Sequence, residues 1–220
     1  MHAANPSPHA QALTAQGVRF QVLAQIFPVL RHEALAPLSN ATLATAMLRQ
    51  APEGAAADAL QQRTQRLAGD LHQMLEDSVD VLRGLDQWLV DNGASLPAAT
   101  LLKECRKLLF SQLMWSKRRV RWPDEPAPVD LPAFAARYLV MAWVLCLLPW
   151  LPEDTELELD ASDPAVWHAR LPSPADAPVA PALFDPRDIE NLALASGWRL
   201  ERQPQCWSLH LPATTTKESA

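Results

Sequence analysis

The sequence predicts an α+β fold: a hairpin of two long helices, then a smaller unit in which helices lie on a sheet of short strands. Three observations predict it. Apolar residues recur by threes and fours from Val18 to Leu89. Beyond Leu96 the texture changes, with tryptophans and prolines punctuating the chain. After Thr155 several short runs alternate polar and apolar residues at period two.

Residues 1–10 are expected to be a disordered polar lead. Over residues 11–50, Val18, Val22, Ile26, Val29, Leu30, Leu38, Leu43 and Met47 fall at helical spacing. Pro28 and Pro37 are expected to kink this helix rather than end it. Ala51-Pro52-Glu53-Gly54 is a turn signal. Over residues 56–90, Leu60, Thr64, Leu67, Leu71, Met74, Ser78, Leu82, Leu85 and Leu89 make a heptad-like stripe, which Asn92-Gly93 stops because both residues tolerate the left-handed cap. Two such helices cannot bury both stripes alone. The missing partner is either a second copy, giving a dimeric four-helix bundle, or the second half of the chain. The helices are long and the second half has its own elements to bury, which favours the homodimer.

In the second half, residues 100–115 read as a helix, Arg119-Val120-Arg121-Trp122 as a strand, residues 123–132 as a proline-rich loop and 134–148 as a buried helix. Residues 155–160 and 165–171 make a hairpin across Ala161-Ser162-Asp163-Pro164. Residues 172–186 are a proline-alanine linker, expected to be mobile or extended. Residues 188–196 are a short helix stopped by Gly197, and 198–203 with 206–211 form a second hairpin. The expected domains are therefore 11–93 and 97–213, the second made of helices laid on a small mixed or antiparallel sheet.

Composition narrows the function classes. The formal net charge is −6, which disfavours non-specific attraction to nucleic acid. Cys105, Cys146 and Cys206 are widely spaced, so they form neither a zinc motif nor a disulfide framework and suit a reducing cytosol. The polar N-terminus is not a signal peptide, and the apolar run 138–151 is too short to span a bilayer and is broken by Pro149. The expectation is a cytoplasmic protein without a membrane anchor. No H-E-x-x-H occurs and no second histidine lies within a turn of His32, which argues against a metal-dependent hydrolase.

His32-Glu33-Ala34-Leu35-Ala36-Pro37-Leu38 sets an imidazole beside a carboxylate, five residues before a proline that costs an interior helix about 3 kcal/mol. This heptapeptide resembles the H-box of bacterial two-component histidine kinases, in which a histidine followed by an acidic residue and later by Pro-Leu takes up phosphate. The order of elements over residues 15–213 is similar to that of a histidine kinase core. Residues 152–161 (PEDTELELDA) resemble a strand of the kinase catalytic domain, and 192–212 (LALASGWRLERQPQCWSLHLP) resemble its closing segment.

The departures bear on function. Kinases of this family grip ATP through an asparagine-rich box and two glycine-rich boxes, where backbone approaches phosphate at positive φ. Here only Gly197 lies beyond residue 93, Leu145-Cys146-Leu147 falls where the metal-binding asparagine is expected, and the linker replaces the nucleotide lid. A cysteine offers magnesium no hard oxygen. The resemblance therefore implies a phosphoacceptor hairpin attached to a degenerate kinase-type α/β sandwich, without ATP-dependent autokinase activity. That combination is similar to the dimeric histidine phosphotransferases, which relay phosphoryl groups between response-regulator aspartates.

Carried onto this sequence, the resemblance makes His32 the nucleophile, with Glu33 holding the far ring nitrogen or assisting the proton. No cofactor of its own is implied, because the partner receiver domain holds the magnesium. The implied partners are response-regulator receiver domains and an upstream hybrid histidine kinase, with no nucleic acid and no membrane. Ala36 falls where many kinases orient a hydrolytic water, so transfer is expected over dephosphorylation. Leu35 replaces the usual arginine and is either a docking contact or core. Arg31 is either a phosphate-steering charge or an ordinary surface one. His72 has no assignable partner, His168 and His210 lie in strands, and His2 and His9 lie in the lead. The alternative is a non-catalytic dimeric adaptor that binds a regulator or kinase, although such a scaffold has no need of the histidine.

Overall fold

The computed structural model describes residues 7–49, 57–174 and 177–212. Helix α1 spans Pro8–Arg49 and α2 spans Ala57–Leu89. The lead is thus helical from Pro8 onward, His9 included, since a proline in the first turn forfeits only a donor that had no partner there. The turn expected at 51–54 lies outside the described residues. Helix α1 runs unbroken through Pro28 and Pro37. Each proline removes the N–H that would meet the carbonyl four residues back, those of Ala24 and Glu33.

The chain divides into two compact units, Ile26–Val90 and a second that joins the residues up to Gln25 with those from Asp91 on. In the first unit the two helices form a hairpin whose seam holds Leu30, Ala34, Ala41 and Ala44 from α1 and Ser78 and Trp88 from α2. Near its closed end Arg63 donates to the Met47 carbonyl at 3.2 Å. In the second unit the opening turns of α1 bury Ala15, Val18 and Val22, while Arg19 lies over the Phe134 ring at 5.3 Å.

The rest of the second unit is a two-layer α/β sandwich. Its elements are β1 (Ser95–Pro97), α3 (Ala98–Ser116), β2 (Arg119–Arg121), β3 (Asp130–Pro132), α4 (Ala133–Leu147) with a 3-10 turn Leu148–Trp150, β4 (Glu156–Asp160), β5 (Val166–Arg170), α5 (Pro186–Ala195), β6 (Arg199–Gln203) and β7 (Cys206–His210). The five-stranded sheet has the order β2-β4-β5-β7-β6 and is mixed: β2 runs parallel to β4 and the other pairs are antiparallel. Leu157, Leu159, Trp167, Ala169, Trp207 and Leu209 all face inward, and that period-two burial is the alternation the sequence displays.

Two sequence expectations need correction. Residues 123–132 are not all loop, because β1 and β3 pair antiparallel with Leu96 opposite Leu131. This ribbon satisfies both helix starts where prolines leave no side-chain cap. Ala98 N–H donates to the Val129 carbonyl at 2.9 Å, and Ala133 N–H to the Ala94 carbonyl at 2.8 Å. Nor is the described part of the 172–186 linker loose. Val179 and Ala180 N–H both reach the Pro149 carbonyl, at 2.8 and 3.2 Å, and Phe184 is buried. Asp185 then caps α5 in a reciprocal capping box with Asp188.

Helix α4 is the core. Every residue from Arg137 to Trp150 is buried. Among the described residues Ala133–Trp150 is the one segment apolar enough to cross a membrane, and it is spent inside the fold. Its one charge, Arg137, makes a two-pronged pair with Glu104 on α3, at 2.8 and 3.3 Å.

Candidate functional site

His32 is exposed on α1, midway along the helix. Around it the helix sorts its residues by phase: Leu30 and Ala34 turn into the hairpin seam, Glu33 is half-buried, and Arg31 and Leu35 are exposed. In α-helical register the His32 N–H points back at the Pro28 carbonyl, while Pro37 has no N–H to offer the Glu33 carbonyl. The imidazole therefore sits in a stretch where the backbone ladder is interrupted on both sides. It is reachable by an external group, as a nucleophile toward phosphorus must be. Ala36 and Pro37 are half-buried, and Leu38 is exposed.

The other histidines serve local structure. His72 pairs with Glu76 at 3.3 Å on the surface of α2, an i, i+4 partner that the sequence reading left unassigned. The ring Nδ1 of His168 lies 2.9 Å from the Ser208 hydroxyl and 3.9 Å from the Cys206 sulfur, across the β5–β7 pair. His210 meets Glu201 at 3.2 Å. Among the described residues no three histidine, cysteine or carboxylate side chains gather as a metal site would require.

The region where the resemblance places nucleotide chemistry is closed by apolar packing. Leu145, Cys146 and Leu147 are buried. The Cys146 thiol donates to the Phe184 carbonyl at 3.7 Å, so the linker rests on it. Burial, aided by the nearby Asp185 carboxylate, pushes this thiol up to about 12, so it stays protonated and apolar in character. The hollow that remains beside it is lined by Trp150, Phe184, Arg187 and Arg202. Gly197, the one glycine of this unit beyond residue 93, takes φ 76° at the end of α5, where it turns the chain toward β6.

Sequence reasoning expected apolar stripes that the hairpin cannot bury alone, with Leu38 and Leu82 among them; both are exposed, as are Leu35 and the residues it did not name, Phe27 on α1 and Leu75 and Val79 on α2. It missed a cationic groove beside α3.

No family model and no curated protein matches the chain. Among solved structures it is similar to the cytoplasmic segment of the histidine kinase QseC, at 15% identity and a TM-score of 0.41, over 60% of this chain and 89% of that one. It is also similar to the Acinetobacter baumannii histidine kinase AdeS, at 12% identity and a TM-score of 0.40, over 83% of this chain and 98% of that one. At these identities and scores the likeness carries no inference about chemistry.

Proposed function

We propose that this protein is a histidine phosphotransferase that relays phosphoryl groups between receiver-domain aspartates through His32. The carrying observation is the exposed imidazole of His32, next to Glu33 and between Pro28 and Pro37 on a long helical hairpin. In the forward step a ring nitrogen of His32 attacks the phosphorus of an aspartyl phosphate. The P–N bond forms as the P–O bond to the aspartate breaks, and the carboxylate leaves with the electron pair. The second step is the reverse, onto another receiver's aspartate. Positioning dominates such transfers, because a loose transition state asks for little covalent assistance. The magnesium belongs to the receiver. Glu33 orients the ring or accepts the proton that His32 sheds.

Two features support a homodimer. Each helix of the hairpin carries an apolar row that its own partner helix leaves exposed, Phe27 and Leu38 on one and Leu75, Val79 and Leu82 on the other. At about 100° per residue, His32 lies about 120–140° around α1 from Phe27 and Leu38, and about 60° from Leu35. A second copy seated on Phe27 and Leu38 leaves the imidazole open to a receiver, with Leu35 beside it as a docking contact. The lack of glycine-rich turns and the buried Cys146 support the absence of autokinase activity.

The experiment mixes the full chain with ³²P-labelled receiver domain and follows label onto wild type and His32→Gln. Label on wild type and none on the variant is the expected result. Transfer that survives the substitution rejects His32. A wild type that binds receivers but takes no label leaves the adaptor reading in its place.

A further inference from the structure

A groove of about 630 Å³ opens between the end of α3 and strand β2, in the second unit and independent of His32. Its apolar wall is unusually bare. Phe110 is 63% exposed and Met114 60%, and Trp115 beside them, outside the groove lining, is 82% exposed. Such large side chains left bare on the last turns of one helix, in a chain that buries six of its eight tryptophans, are of the kind that partners cover.

The groove is also cationic. Arg106, Lys117, Arg118 and Arg119 all line the groove, against the carboxylates Asp154 and Glu156. Among the described residues, none of these three arginines has a carboxylate partner. Arg118 donates its Nε to the Leu151 carbonyl at 2.8 Å, and Arg119 donates Nη2 to the Asp154 carbonyl at 3.3 Å. Carbonyls hold these guanidinium groups in place without neutralising them, so their charge is fixed and unspent. Only Lys117 is paired, with Glu153 at 3.4 Å and in full solvent, where such a pair is weak.

The backbone beneath is braced. Lys117 and Asp154 both adopt left-handed conformations, with φ of 54° and 61°, and the Asp154 N–H donates to the Lys117 carbonyl at 2.9 Å. Non-glycine residues rarely take such angles. Two of them locked together at the rim give the groove a defined shape before anything binds.

We propose that this groove docks an acidic, amphipathic segment of a partner protein, its carboxylates on Arg106, Arg118 and Arg119 and its apolar side chains on Phe110 and Met114. Charge complementarity selects this occupant. The groove carries four cations against two carboxylates in a chain whose net charge is −6. The carboxylates at its rim, Asp154 and Glu156, oppose a continuous phosphate backbone but tolerate a segment that interleaves charge with apolar residues.

The test measures fluorescence anisotropy of a labelled Glu/Leu/Phe peptide, its Lys/Leu/Phe counterpart and a labelled oligo(dT), each titrated with the full chain. The acidic peptide should bind saturably and weaken on raising salt from about 50 to about 300 mM. Arg106→Glu/Arg119→Glu and, separately, Phe110→Ser should each weaken it at least about tenfold. These side chains are exposed, and circular dichroism confirms that the variants fold. His32→Gln should bind like wild type, which separates this site from the phosphotransfer reading. Absence of binding, a loss smaller than tenfold in the arginine variant, or oligo(dT) binding as tightly as the acidic peptide overturns the proposal.

Discussion

The sulfur of Cys146 lies 3.7 Å from the carbonyl oxygen of Phe184, so the last turn of α4 and the proline-alanine linker are joined inside the core. Cys146, which falls where the sequence resemblance led us to expect a metal–phosphate ligand, is thereby a buried, protonated thiol held against a backbone carbonyl. Calorimetry with ATP and magnesium should therefore show no micromolar binding. Cys146→Asn should not restore it, because the linker still covers the site.

The same packing makes the three thiols unequal. Burial raises both Cys105 and Cys146 far above the ordinary thiol value, whereas Cys206 is half-buried. Alkylation with iodoacetamide at pH 8, read by mass spectrometry, should label Cys206 first, and Cys105 and Cys146 only after denaturant is added. Early labelling of Cys146 would show that the linker opens in the folded state.

Pro37 has no N–H to offer the Glu33 carbonyl, next to the proposed phosphoacceptor His32. Pro37→Ala should restore that hydrogen bond and stabilise the chain by about 1 kcal/mol or more in urea unfolding. Transfer through His32 should slow in the same variant if the interrupted ladder positions the ring. A variant with neither change would make Pro37 incidental.

Sedimentation should give a dimer, and Phe27→Glu/Leu82→Glu should give a folded monomer, since both side chains are exposed in the single chain, at 51% and 50%. A wild type that sediments as a monomer at all accessible concentrations rejects the second copy.

Asp160 closes the β4–β5 hairpin. It accepts the Ser162 hydroxyl at 2.7 Å, the Ser162 N–H at 3.1 Å and an Arg170 N–H at 3.1 Å. These bonds, those from Ser162 foremost, hold its carboxyl below the usual carboxylate range. A folded value below the unfolded one contributes stability above the ordinary value of about 3.9, and that contribution is lost as pH falls through the folded value. Asp160→Asn should therefore be less stable than wild type at pH 7, and the difference should narrow as the pH is lowered below the ordinary carboxylate range.

The hairpin helices and the four strands of the two late hairpins were legible because their periods are regular over several residues. The β1–β3 ribbon was not, since three residues ending in Pro97 or Pro132 are too few to display alternation. Nor was the pinning of the linker, which rests on one phenylalanine and two backbone donors within a composition that otherwise signals freedom. His32 and Glu33 were singled out because their heptapeptide resembles an H-box, and the structure adds that His32 is exposed. The cationic groove was not legible, because Arg106 and Arg119 come together only after α3 has turned back on β2.

Helix α4 is apolar apart from Arg137, yet the strands of the layer that completes the sandwich, β4 to β7, are made after it, the last ending at His210. During synthesis the ribosome must therefore release this sticky segment some sixty residues before its cover is complete. Chains stopped short of β7 should clump or recruit chaperones, which makes the far C-terminal hairpin a checkpoint for whether the newborn protein survives.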